Sequence, residues 1–401
     1  MKRFLLICIL TTLAIPSGHL LAYDPADASS WEVIPDQMTL EQAEAKKSKT
    51  AAYSKKAAAQ VQTSASKVST FSSISTQTLL QTANPNASPE AQAILQFFET
   101  LPSRPDNRVV SGQFIGHPNP GIVDAYDQYV TQLHSQTGDW VGMVGADYDR
   151  LSDGTTVDLS VVNQSLINHW NKGGLVTVSW HARNPWTGGG ARDTTVSGNF
   201  LDLITPGTAI NQVWMNQLDR IANALQELQA AGVTVLWRPF HESNGKSFWW
   251  AAGRTSAEET ALWKHMFNYF TQTRGLNNLL WVYSVLPVTS KGIRPVDFGY
   301  PGAQYVDVVG LDVYQSDPKI DSEYKKLLSL GKPMGLTEFG PSTSTAYSYD
   351  YSRLISKIRS NYPRLTFFQA WNDVWSMIKQ NNPDKLLRDS WVLNTGELNW
   401  R

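Results

Sequence analysis

The chain has 401 residues, 42% of them hydrophobic and 17% charged, with a formal net charge of -1. That length and apolar content support a large core, as two ordinary domains or as one α/β barrel with appendages. A near-neutral balance with no long basic run beside aromatics excludes the cationic field of a nucleic-acid binder, and a neutral substrate fits better.

From the N-terminus, residues 1–22 combine Lys2 and Arg3, an apolar stretch and a small residue at Ala22, the pattern of a secretory signal peptide. The apolar run is short for a membrane span and is interrupted by Pro16, Ser17 and Gly18. The mature chain is therefore expected to be secreted and extracellular, with no membrane association. Cys8, the single cysteine, lies inside the leader, which leaves no disulfide, thiol nucleophile or cysteine metal ligand afterwards. Residues 23–87 are rich in Ala, Ser, Thr, Lys and Gln and read as a tether or a loosely helical segment.

At Ser88 the pattern changes. Ser88, Pro89 and Glu90 supply an N-cap, a first-turn proline and an early acid, which predicts a helix through Thr100. Eight strand-like runs then alternate with helix-like ones: VVSGQFIG from 109, VGMVGADYD from 141, GLVTVSWHA from 174, TVLWRPFHE from 234, NLLWVYSV from 278, YVDVVGLDVY from 305, KPMGLTEFG from 332 and LTFFQAWND from 365. Between them, a helix is predicted from Asn211 to Ala231 with its stop at Gly232. Ser256 with Glu259 makes a capping-box pattern ahead of Trp263 and Phe267. The expected fold is a single (β/α)8 TIM barrel over residues 88–401, acting as a monomer.

Asp147, His181, Glu242, Tyr314, Glu338 and Trp371 gather at the downstream ends of these runs, which in such a barrel converge on one face. Glu242 sits in WRPFHESNGKSFWW, and a carboxyl flanked by apolar rings is harder to ionise, so it can deliver a proton near neutral pH. Glu338 offers the second carboxylate that glycoside cleavage needs, and a separation of about 5 to 5.5 Å is expected if the pair retains configuration. An arbitrary glutamate is more often a cap or a surface ion partner; placement of both acids at strand ends among aromatics favours chemistry.

Arg238, four residues before Glu242, is expected on the same side, holding the nucleophile ionised or serving a structural ion pair. His181 and His241 are candidate donors to sugar hydroxyls or orienters of the acids. Asp147, Asp149 and Asp312 are weaker candidates. Among fifteen tryptophans and fifteen tyrosines, Trp186, Tyr314 and Trp371 are the better subsite candidates, while Trp249 and Trp250 could wall the pocket or fill the core as readily as touch sugar. An HExxH zinc motif is excluded because Gly245 stands where the second histidine would be. A phosphate-binding loop fails at Phe240, and no GxSxG elbow occurs. Neither metal nor cofactor is expected. Asn86 and Asn163 open glycosylation sequons.

With these residues assembled, the chain resembles glycoside hydrolase family 26, mostly secreted endo-β-1,4-mannanases with a (β/α)8 barrel. RPFHESNG followed by FWW carries the resemblance, supported in order by SGQ at 111, WHARNP at 180, GLDVY at 310, TEFG at 337 and AWND at 370. The resemblance implies Glu338 as nucleophile, Glu242 as acid/base, His181, Tyr314 and Trp371 as residues lining the substrate site, and His241 as the histidine beside the acid/base. It also implies β-mannan, glucomannan or galactomannan as the polysaccharide partner. Ser247 departs from the family pattern, which has tryptophan there, and keeps open mixed-linkage β-glucan or β-1,3-xylan as substrates. A non-catalytic carbohydrate-binding barrel is the third reading.

Overall fold

A computed structural model describes residues 80–116, 125–149, 158–288 and 292–401; the leader and most of the 23–87 segment lie outside the described residues. The strands are β1 (Val109–Val110), β2 (Gly112–Phe114), β3 (Met143–Asp147), β4 (Leu175–Trp180), β5 (Val235–Pro239), β6 (Leu279–Val285), β7 (Val308–Tyr314), β8 (Met334–Gly340), β9 (Leu365–Ala370) and β10 (Val392–Leu393). β2 to β9 pair in sequence order, all parallel, and β9 returns to β2, so eight strands close a barrel. Each of the eight runs supplies one barrel strand. The first run is split at Ser111, and its β1 half pairs with β9 and β10 instead.

Parallel strands covered on both faces read as unbroken apolar runs. β3, β4, β5, β6 and β8 are buried along their whole length. The helices are α1 (Pro89–Thr100), α2 (Gln132–Thr137), α3 (Leu159–Asn171), α4 (Ala209–Ala230), α5 (Ser256–Asn268), α6 (Asp321–Leu328), α7 (Ser352–Asn361) and α8 (Pro383–Leu387). Large rings fill the core: Trp180 stacks on Trp214 of α4 at 5.5 Å, and Trp237 meets Phe270 at 6.0 Å.

Local signals hold with small shifts. Ser88 caps α1, its Oγ accepting from the Ala91 N–H. The capping box of α5 lies one residue earlier than expected, on Thr255 and Glu258, because Glu259 turns inward to pair with Arg294 at 2.7 Å. Packing also begins before Ser88: the Ala83 N–H donates to Asp307 at 2.6 Å, and the Asn84 amide donates to Leu276 O and Asn277. Asn163 is buried in α3, where its amide donates to Ala224 O and Glu227 while it accepts from the Tyr148 hydroxyl. That sequon is committed to joining α3 and α4.

Candidate active site

β5 stops at Pro239, and the chain then turns through two residues with left-handed backbone, Phe240 (φ 49°) and Glu242 (φ 53°). Such angles cost a non-glycine residue on the order of 1–3 kcal/mol and persist where the surroundings over-determine them. Here the Glu242 N–H donates to Ser284 O at 3.0 Å and the Gly245 N–H donates to Glu242 O at 2.8 Å. Trp250 Nε1 also donates to His241 O at 3.0 Å. The expected alternation from Arg238 to Glu242 assumed a continuing strand; the turn, not strand parity, brings the two together.

Glu338 reaches the mouth through an irregularity of a different kind. β7 and β8 pair Leu311 with Leu336 but then Asp312 with Glu338, so Thr337 is an extra, bulged residue. Bulges re-aim side chains beside active sites. With it, two successive residues face the same cluster: Thr337 Oγ1 donates to Asp312 Oδ1 at 2.8 Å, and Glu338 accepts from Arg238 and Tyr314.

One oxygen from each of Glu242, Asp312 and Glu338 lies within 4.8 Å of the other two. This proximity of the nearest oxygens is compatible with the roughly 5–5.5 Å spacing of retaining carboxyl pairs. Arg238 Nη2 donates to Glu338 Oε1 at 2.6 Å and Nη1 to Asp312 Oδ2 at 3.1 Å. Tyr314 Oη donates to Glu338 Oε2 at 2.7 Å, and Ser284 Oγ donates to Asp312 at 2.9 Å.

Burial raises both glutamate carboxyls above the ordinary range, and neighbouring negative charge raises them further. The push is larger at Glu242, which faces the charges of Glu338 and Asp312 and is offset through space by Arg192 and Arg238. At Glu338 the Arg238 charge and two direct donors oppose the rise. Burial also works against a charge on Arg238, but Glu338 and Asp312 outweigh it and hold the guanidinium protonated. A proton shared by the two glutamates therefore resides on Glu242, leaving Glu338 ionised.

Behind the pair runs a histidine chain. His181 Nδ1 lies 2.6 Å from Asp147 Oδ2, and the His181 N–H donates to Asp147 Oδ1 at 3.0 Å. His181 Nε2 faces His241 Nε2 at 3.1 Å, so one of these two nitrogens carries the hydrogen between them. Asp147, accepting the Nδ1–H, fixes how His181 enters that choice.

This geometry is that of a glycosidase, and the comparisons agree. The sequence profile of glycosyl hydrolase family 26 matches residues 83–397, nearly the whole described barrel. The chain belongs to glycosyl hydrolase family 26. It is accordingly a glycoside hydrolase. It is 39% identical over 332 residues to the mannan endo-1,4-beta-mannosidase A and B of Caldalkalibacillus mannanilyticus, covering 79% of this chain and 63% of that protein. It is 36% identical over 330 residues to a Bacillus subtilis mannan endo-1,4-beta-mannosidase, covering 79% of this chain and 88% of the relative. A solved Bacillus subtilis mannanase superposes with a TM-score of 0.71 at 34% identity, covering 80% of this chain and 96% of that one.

Within the family frame, the structure brings together Glu242, Glu338, Arg238 and Tyr314, with His181 and His241 joined alongside. It does not bring Trp186 to the carboxylates: that half-buried ring stacks on Phe200 and meets Trp249 edge-on. Trp371, a candidate for lining the substrate site, is 1% exposed and lies flat on Phe114 at 4.1 Å. Trp375 of the same cluster packs edge-on against Tyr314 at 5.3 Å. Trp249 and Trp250 are core residues that staple the strand ends, through Ala182 O and His241 O. Asp312 was underrated by sequence reading: it is the acceptor hub for Arg238, Ser284 and Thr337. Its position two residues before Tyr314 in GLDVY was the available signal.

Proposed function

We propose that this protein is a secreted, monomeric endo-β-1,4-mannanase that cleaves internal bonds of mannan, glucomannan or galactomannan with retention. The observation that carries this reading is the close carboxyl pair held in unlike surroundings: Glu338 between Arg238 and Tyr314, Glu242 on a strained, desolvated turn. Glu338 attacks the anomeric carbon and forms a glycosyl ester as the glycosidic C–O bond breaks, and the leaving oxygen takes the Glu242 proton. A water then gives a proton to the Glu242 carboxylate while its oxygen attacks the same carbon, which breaks the ester and frees Glu338. Two inversions restore the original configuration.

Support for mannan comes from relatives named as mannan endo-1,4-beta-mannosidases, and support for export from the leader-like residues 1–22. A second reading, another β-glycan on the same machinery, is favoured by Ser247 at a position where the family pattern has tryptophan. A 138-residue match at 32% identity to a protein named endoglucanase H points the same way. Hydrolysis of mannan, barley β-glucan, xylan and cellulose separates the substrates. Glu338→Ala is expected to abolish turnover of every glycoside, while Glu242→Ala spares the first step on activated aryl glycosides. Full activity in either variant refutes the assignment.

A further inference from the structure

The loop that follows Glu242 has no regular secondary structure through residue 254, yet its carbonyl oxygens converge on one side chain from elsewhere in the chain. Arg294, in the connection between β6 and β7, sends its guanidinium into that loop. Nε donates to Asn244 O at 3.3 Å, Nη1 to Arg254 O at 2.7 Å, and Nη2 to Gly245 O and Ala251 O, each at 3.1 Å, and to Ser243 O. The backbone joins the same contact: the Arg294 N–H donates to Asn244 O at 2.8 Å, and the Asn244 amide donates to Arg294 O at 3.0 Å.

The guanidinium is itself held. Glu259 of α5 pairs with Nη2 at 2.7 Å, and the Phe298 ring lies 4.0 Å below the charge. Asn244 adds a second brace across to the end of β6, accepting from the Leu286 N–H and donating to Leu286 O, both at 2.8 Å. Five carbonyls within twelve residues would otherwise need water or an irregular set of partners; one rigid planar donor serves them together.

We infer that Arg294 is a positioning residue for the acid/base: by gathering the carbonyls of residues 243, 244, 245, 251 and 254 it forces the left-handed turn that aims the Glu242 carboxyl at the leaving oxygen. The inference rests on Glu242 being the acid/base. Among the described contacts Arg294 meets neither the Glu242 nor the Glu338 side chain, so it acts on them through backbone geometry. A loop held this way tolerates little slack, because a misplacement of about 1 Å at a catalytic group can slow a reaction on the order of 100-fold.

The test uses the full enzyme with Arg294→Lys and Glu259→Gln, each checked for folding by thermal melting, with Glu242→Ala beside them. Rates are measured on β-mannan and on a dinitrophenyl β-mannobioside, whose leaving group needs no proton. Arg294→Lys keeps a charge but cannot span five carbonyls, and is expected to lower kcat on mannan by about 10- to 100-fold while changing formation of the glycosyl enzyme from the activated substrate less than about threefold. Glu259→Gln, which loosens the clamp without removing it, should show the same asymmetry at smaller amplitude and remains informative if Arg294→Lys does not fold. Equal losses on both substrates, or none, in variants that fold would overturn the positioning role. If Glu242→Ala also lacks the asymmetry, the acid/base assignment falls instead; if Glu242→Ala shows it and the clamp variants do not, only the inference about Arg294 falls.

Discussion

Replacing Tyr314 by phenylalanine removes one atom at the heart of the site and leaves the ring that packs against Trp375. In the native protein each oxygen of Glu338 has its own donor, Arg238 on Oε1 and Tyr314 on Oε2, and the carboxylate is 3% exposed. Water cannot readily replace the lost hydroxyl there. A hydrogen bond to a charged group contributes about 1.5–3 kcal/mol. At about 1.4 kcal/mol per pH unit, that moves the carboxyl by about one to two pH units. The sign follows from what the hydroxyl does: it lowers the affinity of Glu338 for a proton, so its loss makes the nucleophile harder to ionise. The acid limb of kcat/KM, which requires ionised Glu338, should therefore move to higher pH by about one to two units, while the alkaline limb, which requires protonated Glu242, should move less. The bell narrows from its acid side. A pH–rate series from pH 4 to 9 on mannan reads both limbs, and thermal melting confirms the fold. An acid limb that stays in place, or two limbs that move together, would show that Tyr314 does not tune Glu338.

Two further substitutions probe groups whose charge is tied to folding. Arg238→Met strands Asp312 and Glu338 in the core and is expected to lower unfolding free energy by about 3–5 kcal/mol near neutral pH, with the deficit shrinking in acid as the stranded carboxyls take up protons. Urea unfolding at pH 7 and pH 5 reads both effects, and a change under about 1 kcal/mol at pH 7 would contradict the ion-pair account. His169, fully buried beneath Tyr126, is held neutral, chiefly by burial and then by the charge of Lys172, with its pKa lowered to about 3. Because that value lies below the unfolded one, its contribution is intact above about pH 6.5 and is lost as pH falls, by up to about 1.4 kcal/mol per unit. The melting temperature of His169→Gln should therefore fall less steeply between pH 6.5 and 4 than that of the native protein; parallel curves would place the acid sensitivity elsewhere.

Much of the barrel was legible because parallel strands buried on both faces leave continuous apolar runs, and six of the eight carry a polar or aromatic residue at the same end. The acids followed from that regularity. What sequence could not supply was everything set by breaks in periodicity. Arg238 was placed beside the acids by counting along a strand that in fact ends at Pro239. The bulge at Thr337 gives Thr337 and Glu338 a common direction that strict alternation forbids, and this concealed the part played by Thr337 and Asp312. The aromatic wealth of SFWW suggested stacking platforms, yet Trp249 and Trp250 spend their rings on the core and their indole N–H groups on backbone carbonyls. Composition counts rings; only packing decides which faces stay open. Arg294 was invisible for a related reason, since a side chain that serves scattered carbonyls has no partner pattern in sequence.

These irregularities explain how two residues of one chemical type would acquire the opposite duties proposed for them. Glu242 and Glu338 are equally desolvated, so burial alone would leave both protonated and neither able to attack. The difference comes from backbone: the bulge delivers Glu338 to two rigid donors on β5 and β7, and the strained turn holds Glu242 where it feels the charges of Glu338 and Asp312. Their mutual repulsion then works for the chemistry, because ionising one carboxyl raises the proton affinity of the other. After the glycosyl ester forms, Glu338 no longer carries a charge, and that repulsion disappears. Glu242, now relieved of its largest electrostatic neighbour, holds a proton less tightly when its task is to have lost one, and becomes the base that the second step requires.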